Sequence, residues 1–364
     1  MQKTLKKTIA KVVIVAGLVL SGCNSGSAGS ASSGVAYANF QTYTNAPGSS
    51  TYITGVRNVN DGSGNVYLTG LYQPESGTLF NALIYTGPVA GGGSWVELNN
   101  PGGVGESVTS TSFYGPDSDA LGNITAVGCY TTLESGAKQI GLLYQGTVAG
   151  VGTWTTLTPP ENLFPSVENT IAHSTMGGLV VGNTTNNSGV SKGFLYNINN
   201  ESYVNINLPG HSVGVTAYGI WYNGITSYTI AGGYSDVNES GFDVAYLIDY
   251  NSASGKFSNF ESYSYNNQPS TTILSHFEGI TRDDKGGYNL AADVESAGLP
   301  LTTAFVHVTR NSDTSFNSNA TWTEVLYPNA QVTSANTVYQ NNILGVYSVV
   351  SGDGIKIPFI ATIQ

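Results

Sequence analysis

The sequence predicts an all-β protein, a six-bladed β-propeller. Three observations carry that expectation. The stretch LIYTGPVAGGGSWVELNNP (Leu83–Pro101) returns 59 residues later as LLYQGTVAGVGTWTTLTPP (Leu142–Pro160), with ten of 19 positions identical. Identity at a fixed offset marks a repeat architecture. Short runs rich in β-branched and aromatic residues then recur about every 55 residues to the end of the chain. That period suits a propeller blade with long loops, and no stretch of helical period competes with it. Five or seven blades are the alternatives.

Each repeat has four pieces. The first, an inner strand, reads TYITGV, TSFYGP, TIAHST, TAYGIW, SHFEGI and SANTVY, starting at Thr51, Thr111, Thr170, Thr216, Ser275 and Ser334. The second closes on small residues, as in VYLTGLY (Val66–Tyr72) and YTIAGGY (Tyr228–Tyr234). The third is apolar, from ALIY (Ala82–Tyr85) to PFIA (Pro358–Ala361). Between these two lie the turns Ser76-Gly77, Ser135-Gly136, Ser188-Gly189, Ser240-Gly241, Ser296-Ala297-Gly298 and Ser351-Gly352, where glycine permits the positive φ of a tight turn. The fourth piece, an outer strand, reads SWVEL, TWTTL, SYVNINL and TWTEVL; it is blurred around Phe257–Phe260 and missing from the sixth repeat. A propeller must close its ring, so Ala36–Asn45 is expected to supply that strand, with Phe40 in the place of Trp.

The first residues give an address. Lys3, Lys6, Lys7 and Lys11 precede a short apolar run, Val12–Leu20, and then Leu20-Ser21-Gly22-Cys23. This order reads as a secretory signal, and the run is too short to stay in a bilayer as a spanning helix. The LSGC ending resembles the lipobox of bacterial lipoproteins. That resemblance implies cleavage before Cys23 and lipidation of Cys23; several acyl chains together anchor stably. Asn24, in place of Asp, favours the outer membrane under the enterobacterial sorting rule. The organisation is therefore 1–22 signal peptide, 23–35 lipidated flexible tether and 36–364 propeller.

Loss of the four signal lysines leaves eight cations against 23 acids, a formal charge of −15. That argues against nucleic acid or anionic lipid headgroups as partners. With Cys23 lipidated, Cys129 has no partner for an intramolecular disulfide. Its place in AVGCY suggests a buried, inert thiol. A monomer is expected.

Residues 193–236 resemble the HAF-type repeats of bacterial extracellular proteins, in GFLY, INLPG, AYGI and the closing GGY before an acid. The resemblance implies a repeat fold and export; that family is tied to no single activity, so no functional residue carries over. GTWTTL and GSWVEL also resemble the end of the Asp-box of sialidase-type propellers, but VAGV and VAGG precede them and the Asp is absent. Trp95, Trp154 and Trp322 are therefore read as blade packing.

Chemistry is sought on the inner strands. Aligned on their glycine, the residue before it is Thr54, Tyr114, His173, Tyr218, Glu278 and Asn336. Two positions earlier stand Tyr52, Ser112, Ile171, Thr216, His276 and Ser334, on the same face by period-2 alternation. Tyr114, His173, Tyr218, His276 and Glu278 are thus the candidate ligand-binding residues of a central channel, for a sugar, or for a metal through the two histidines and the glutamate. Water lining is the plainer reading, and a second geometry puts these residues between blades. His211 and His307 read as structural. The acidic turns at Asp61, Asp117, Asp119 and Asp283-Asp284 lack the full calcium-loop spacing and read as Asx turns, so calcium stays a minor option and no cofactor is expected. No catalytic motif is present. The reading is a lipid-anchored envelope module for recognition or scaffolding, binding a glycan or a protein. The alternatives are a glycan hydrolase or lyase at the channel mouth, and a periplasmic scaffold for outer-membrane assembly.

Overall fold

A computed structural model describes residues 34–75, 77–210, 212–236, 243–297, 299–350 and 354–364. The signal, Cys23, most of the tether, His211 and the Ser240-Gly241 and Ser351-Gly352 turns lie outside the described residues. Among the described residues every regular element is a β-strand, except one 3₁₀ turn at Tyr265–Asn267.

The fold is an all-β propeller. Strand β1 (Val35–Asn39) is followed by a first sheet of β2 (Ser50–Asn58), β3 (Val66–Gln73), β4 (Asn81–Gly87) and β5 (Ser94–Glu97). The second sheet is β6 (Val108–Ser118), β7 (Ile124–Thr132), β8 (Ile140–Gly146) and β9 (Gly152–Leu157). The third is β10 (Val167–Met176), β11 (Leu179–Asn186), β12 (Ser191–Asn197) and β13 (Ser202–Asn205). A nine-stranded sheet follows. Its first half is β14 (Ser212–Val215), β15 (Gly219–Gly224), β16 (Ser227–Asp236), β17 (Asp243–Asn251) and β18 (Lys256–Tyr263). Its second half is β19 (Thr272–Arg282), β20 (Tyr288–Ser296), β21 (Leu299–Val308) and β22 (Thr321–Val325). One parallel pair, Asp243 with Leu274, joins the halves, and Arg310 locks them by reaching Asp249 at 2.6 and 2.9 Å. The last sheet is β23 (Val332–Tyr339), β24 (Asn342–Ser348) and β25 (Ile357–Ile363), with β1 paired outside β25. The inner strands touch in the cyclic order β2, β6, β10, β15, β19, β23 and back to β2.

The 59-residue repeat is a packing unit. The Tyr85 hydroxyl donates to Pro88 O (2.9 Å) and accepts from Gly93 N–H (2.8 Å), and the ring packs against Trp95. A Cβ on Gly87 would sit 2.5 Å from Gly93 Cα, so both positions stay glycine. Tyr144, Gly146, Gly152 and Trp154 repeat the arrangement. Trp322 stacks on Phe277, so all three repeated tryptophans pack within the sheets. The Ser–Gly turns appear where described, with Gly136 and Gly189 at φ 62° and 78°.

The closing strand is shorter than the sequence suggests. It ends at Asn39, and its register pairs Tyr37 with Ala361. Ala361 occupies the place that Tyr85 holds opposite Trp95, so Tyr37, not Phe40, stands at the tryptophan position. Phe40 leaves the strand and packs on Tyr85 and Trp95 of the first sheet. It is buried with Leu344 and Ile360 of the last sheet and with Ile53 and Leu68 of the first. Its volume serves the junction between the two sheets.

Candidate functional site

The aligned inner-strand residues share one backbone feature. Pairing with the second strand slips across Thr54, Tyr114, His173, Glu278 and Asn336, each an extra residue in its strand. Between β14 and β15, four steps along the inner strand face three along β16, and Tyr218 lies in that gap. A β-bulge bends its strand and re-aims a side chain. The residues that follow are small because the next inner strand comes close. A Cβ on Gly55 would lie 2.2 Å from Tyr114 O, one on Gly115 2.6 Å from Ser174 Cα, and one on Gly279 2.9 Å from Thr337 Cα.

The bulged side chains meet. Tyr114 lies 5.3 Å from His173 between ring centroids, and His173 stacks on Tyr218 at 3.7 Å. Tyr218 meets His276 edge-on at 4.5 Å. His276 Nδ1 lies 2.8 Å from Glu278 Oε1, and its Nε2 lies 2.6 Å from Thr216 Oγ1. Thr54 Oγ1 donates to Phe113 O, and Asn336 Nδ2 donates to Ile53 O, each across a sheet boundary. All five candidates therefore join one continuous chain of contacts. The space beside them is only about 10 Å³.

The electrostatics of this interior are divided. Burial pushes His173 down to about 3, against the Asn183 contact that favours its charge. Burial also works against a charged His276, but the Glu278 carboxylate, with Asp243 and Asp293 behind it, outweighs burial and raises its pKa. Asp293 is pushed up to about 8, by burial first and then by Glu278. Burial lifts the Tyr218 phenol far above its ordinary value. Burial takes the Cys129 thiol up to about 12, which fits the inert thiol expected of it. One histidine is thus held neutral, one favours its charge, and a carboxyl beside them keeps its proton.

Among the described residues no group of three or more His, Cys, Asp or Glu is placed to hold a metal. His173 faces Asn183, while His276 faces Glu278 and Thr216. Three acids of the turns accept local N–H groups: Asp119 from Leu121 and Asn123, Asp61 from Ser63, and Asp283 from Lys285 and Gly287. Asp117, read as a turn residue, instead lies in β6 and accepts from Gly177 N–H of the next sheet. His307 bridges Asn289 and Asp283.

Sequence reasoning missed Asp293, which comes from a second strand and accepts from Thr303, Ser334 and Ala335. It also missed Arg57, buried at one end of the axis (7% exposed). The same glycine alignment, read two residues further on, would have found Arg57.

No known protein family matches the sequence, and no curated protein does. Among solved structures, a mutant of Trypanosoma rangeli sialidase with trans-sialidase activity matches at TM-score 0.50 and 10% identity. That match covers 92% of this chain and 60% of the other. A protein of unknown function from Dyadobacter fermentans matches at TM-score 0.38 and 12% identity, covering 91% of this chain and all of the other. A xylan β-1,4-xylosidase from Bacillus halodurans matches at TM-score 0.38 and 12% identity, covering 75% of this chain and 56% of the other. The sialidase likeness is one of fold, and the chain spans about three fifths of that protein's length.

Proposed function

We propose that the chain is a lipid-anchored, exported propeller of six blades that serves as a recognition or scaffold module at the bacterial envelope. The blade count rests on the cyclic order of six inner strands, each with its bulge, and counts the nine-stranded sheet as two blades. Export and anchoring rest on the signal and the LSGC ending. The observation that carries the function is the filled axis. Tyr114, His173, Tyr218 and His276 stack across it beside a space of about 10 Å³. Substrate pockets run to several hundred Å³, so binding falls to the ends of the axis and the faces. Leu79, Leu133, Val349 and Ile355 stand exposed in loops between second and third strands.

One observation favours a glycan hydrolase as the second reading. Glu278 and Asp293 are neighbouring carboxyls, and Asp293 holds its proton toward neutral pH, as a general acid must. The experiment has two arms. Metabolic palmitate labelling and membrane fractionation of the full chain and of Cys23→Ser should show label and outer-membrane location lost together. A panel of envelope glycans incubated with the full chain should show no cleavage. Cleavage abolished by Glu278→Gln would replace the recognition reading with the hydrolase.

A further inference from the structure

Two residues beyond the bulge glycine or its small replacement, each inner strand places one side chain at the same end of the axis. These are Arg57, Asp117, Met176, Trp221, Thr281 and Tyr339, and together they line a single cavity of about 40 Å³. The preceding small positions vary only among Gly, Ser and Thr, because the next strand packs against them. The six mouth residues are all different, and they include a cation, an acid, an indole and a phenol. Packing alone does not call for that range in six equivalent places.

Arg57 dominates the cavity. Its Nη2 donates to Ile220 O (2.7 Å) and reaches Ser174 Oγ (3.4 Å), and its Nη1 donates to Val56 O (2.8 Å). The guanidinium lies 5.4 Å from the Trp221 ring centroid. Its Nε–H is buried and has no acceptor in the protein, and among the described residues no carboxylate stands within ion-pair distance. Burial lowers its pKa to about 10, against the pull of Asp117, so it stays a cation at neutral pH. A buried cation without a paired anion is costly, and an oxyanion would relieve that cost. Asp117 lines the same cavity and accepts from Ser118 N–H and Gly177 N–H (both 2.9 Å). Its negative charge disfavours a dianion, while its oxygens can accept from a hydroxyl. The exposed Asn58 and Asn60 stand at the rim with the half-buried Trp221 and Tyr339, offering amide hydrogen bonds and aromatic surface.

We propose that this mouth binds a hydroxy-carboxylate, a single uronic-acid residue of a glycan. Its carboxylate sits on Arg57, its neighbouring hydroxyl donates to Asp117, and its ring leans on the aromatic rim. The cavity admits the carboxylate and its neighbour, and the rest of the glycan lies outside. The proposal narrows the recognition reading to one ligand class, and it is tested on binding alone, so localisation can fail without it and it can fail without localisation.

The test uses the full chain in mild detergent, labelled with 5-fluorotryptophan, with the four indole ¹⁹F signals assigned by Trp→Phe variants. Glucuronate should shift the Trp221 signal saturably and leave Trp95, Trp154 and Trp322 in place. Glucose and inorganic phosphate should leave Trp221 unmoved. Arg57→Lys keeps the charge but loses the planar fork, and should weaken glucuronate about tenfold. Asp117→Asn should let phosphate shift Trp221. The three remote signals report folding in every variant. Trp221 unmoved by glucuronate, or moved equally by glucose, overturns the proposal, as does undiminished glucuronate binding in folded Arg57→Lys.

Discussion

The axial residues set the pH range over which the ring is stable. His173 is held at about 3 in the folded chain and would titrate near 6.5 when unfolded. The unfolded chain therefore binds more protons between those values, and stability is lost as pH falls through them. Asp293 works in the opposite sense. Its folded carboxyl titrates near 8 and its unfolded one near 3.8, so stability is lost as pH rises between them. His276, also raised, adds to the loss above 6.5. From about 4 to 6.5 the His173 and Asp293 slopes oppose each other; above 6.5 the decline stands alone. Melting temperature against pH should thus fall from 6.5 to 8. Asp293→Asn should reduce that arm to the part His276 contributes, whatever it does to the absolute melting temperature, and His173→Gln should carry the decline down to about pH 4, because the Asp293 slope is then unopposed. An alkaline arm unchanged in Asp293→Asn would mean that this carboxyl is ionised in the folded chain.

At the scale of the element, the closing strand decides whether the last sheet has a free edge. β1 contributes five residue pairs to β25, and the Tyr37 hydroxyl accepts from Leu326 N–H at 3.1 Å, tying it to the preceding sheet. Phe40 then fills the junction with the first sheet. Phe40→Ala should cost about 3–5 kcal/mol, the range for emptying a buried phenylalanine site. Urea denaturation should show a lower midpoint with an unchanged slope. A loss below about 1 kcal/mol would mean that the junction collapses around the hole. The strands were legible because alternation and glycine punctuation are local, and so was the need for a closing strand. That Tyr37 rather than Phe40 takes the tryptophan place was not legible, because register depends on pairing with a strand more than 300 residues away. The glycine alignment located Tyr114, His173, Tyr218, His276 and Glu278, since a bulge leaves a small residue behind it. It gave no distances, and so neither the closure of the axis nor the approach of Asp293 from β20 could be read. Arg57 went unnoticed because an isolated arginine in a strand reads as a solvated charge until the opposite strands are in place.

Over the whole molecule, ring closure depends on ends that meet. Gln364 N–H donates to Gly34 O at 2.9 Å, and Val35 pairs with Ile363. Joining Gln364 to Gly34 through a short glycine-rich linker would turn the β25–β1 pair into a hairpin, and Gly34 already has the positive φ that turns use (100°). New ends can be cut between Gly91 and Gly92, where an added Cβ would find nothing within 4 Å at either residue. The permuted chain would then start with β5 and close its ring by pairing β5 outside β4, the same closure moved one sheet along. If closure by any outer strand suffices, this permutant of residues 34–364 should fold, unfold in one transition, and melt within a few degrees of the unpermuted chain. If the native β1 junction is special, through Tyr37 and Phe40 in their own covalent order, the permutant should melt far lower or in two steps. Calorimetry on both chains distinguishes these outcomes, because a ring whose sheets hold one another only by neighbour contacts loses cooperativity when one closure fails.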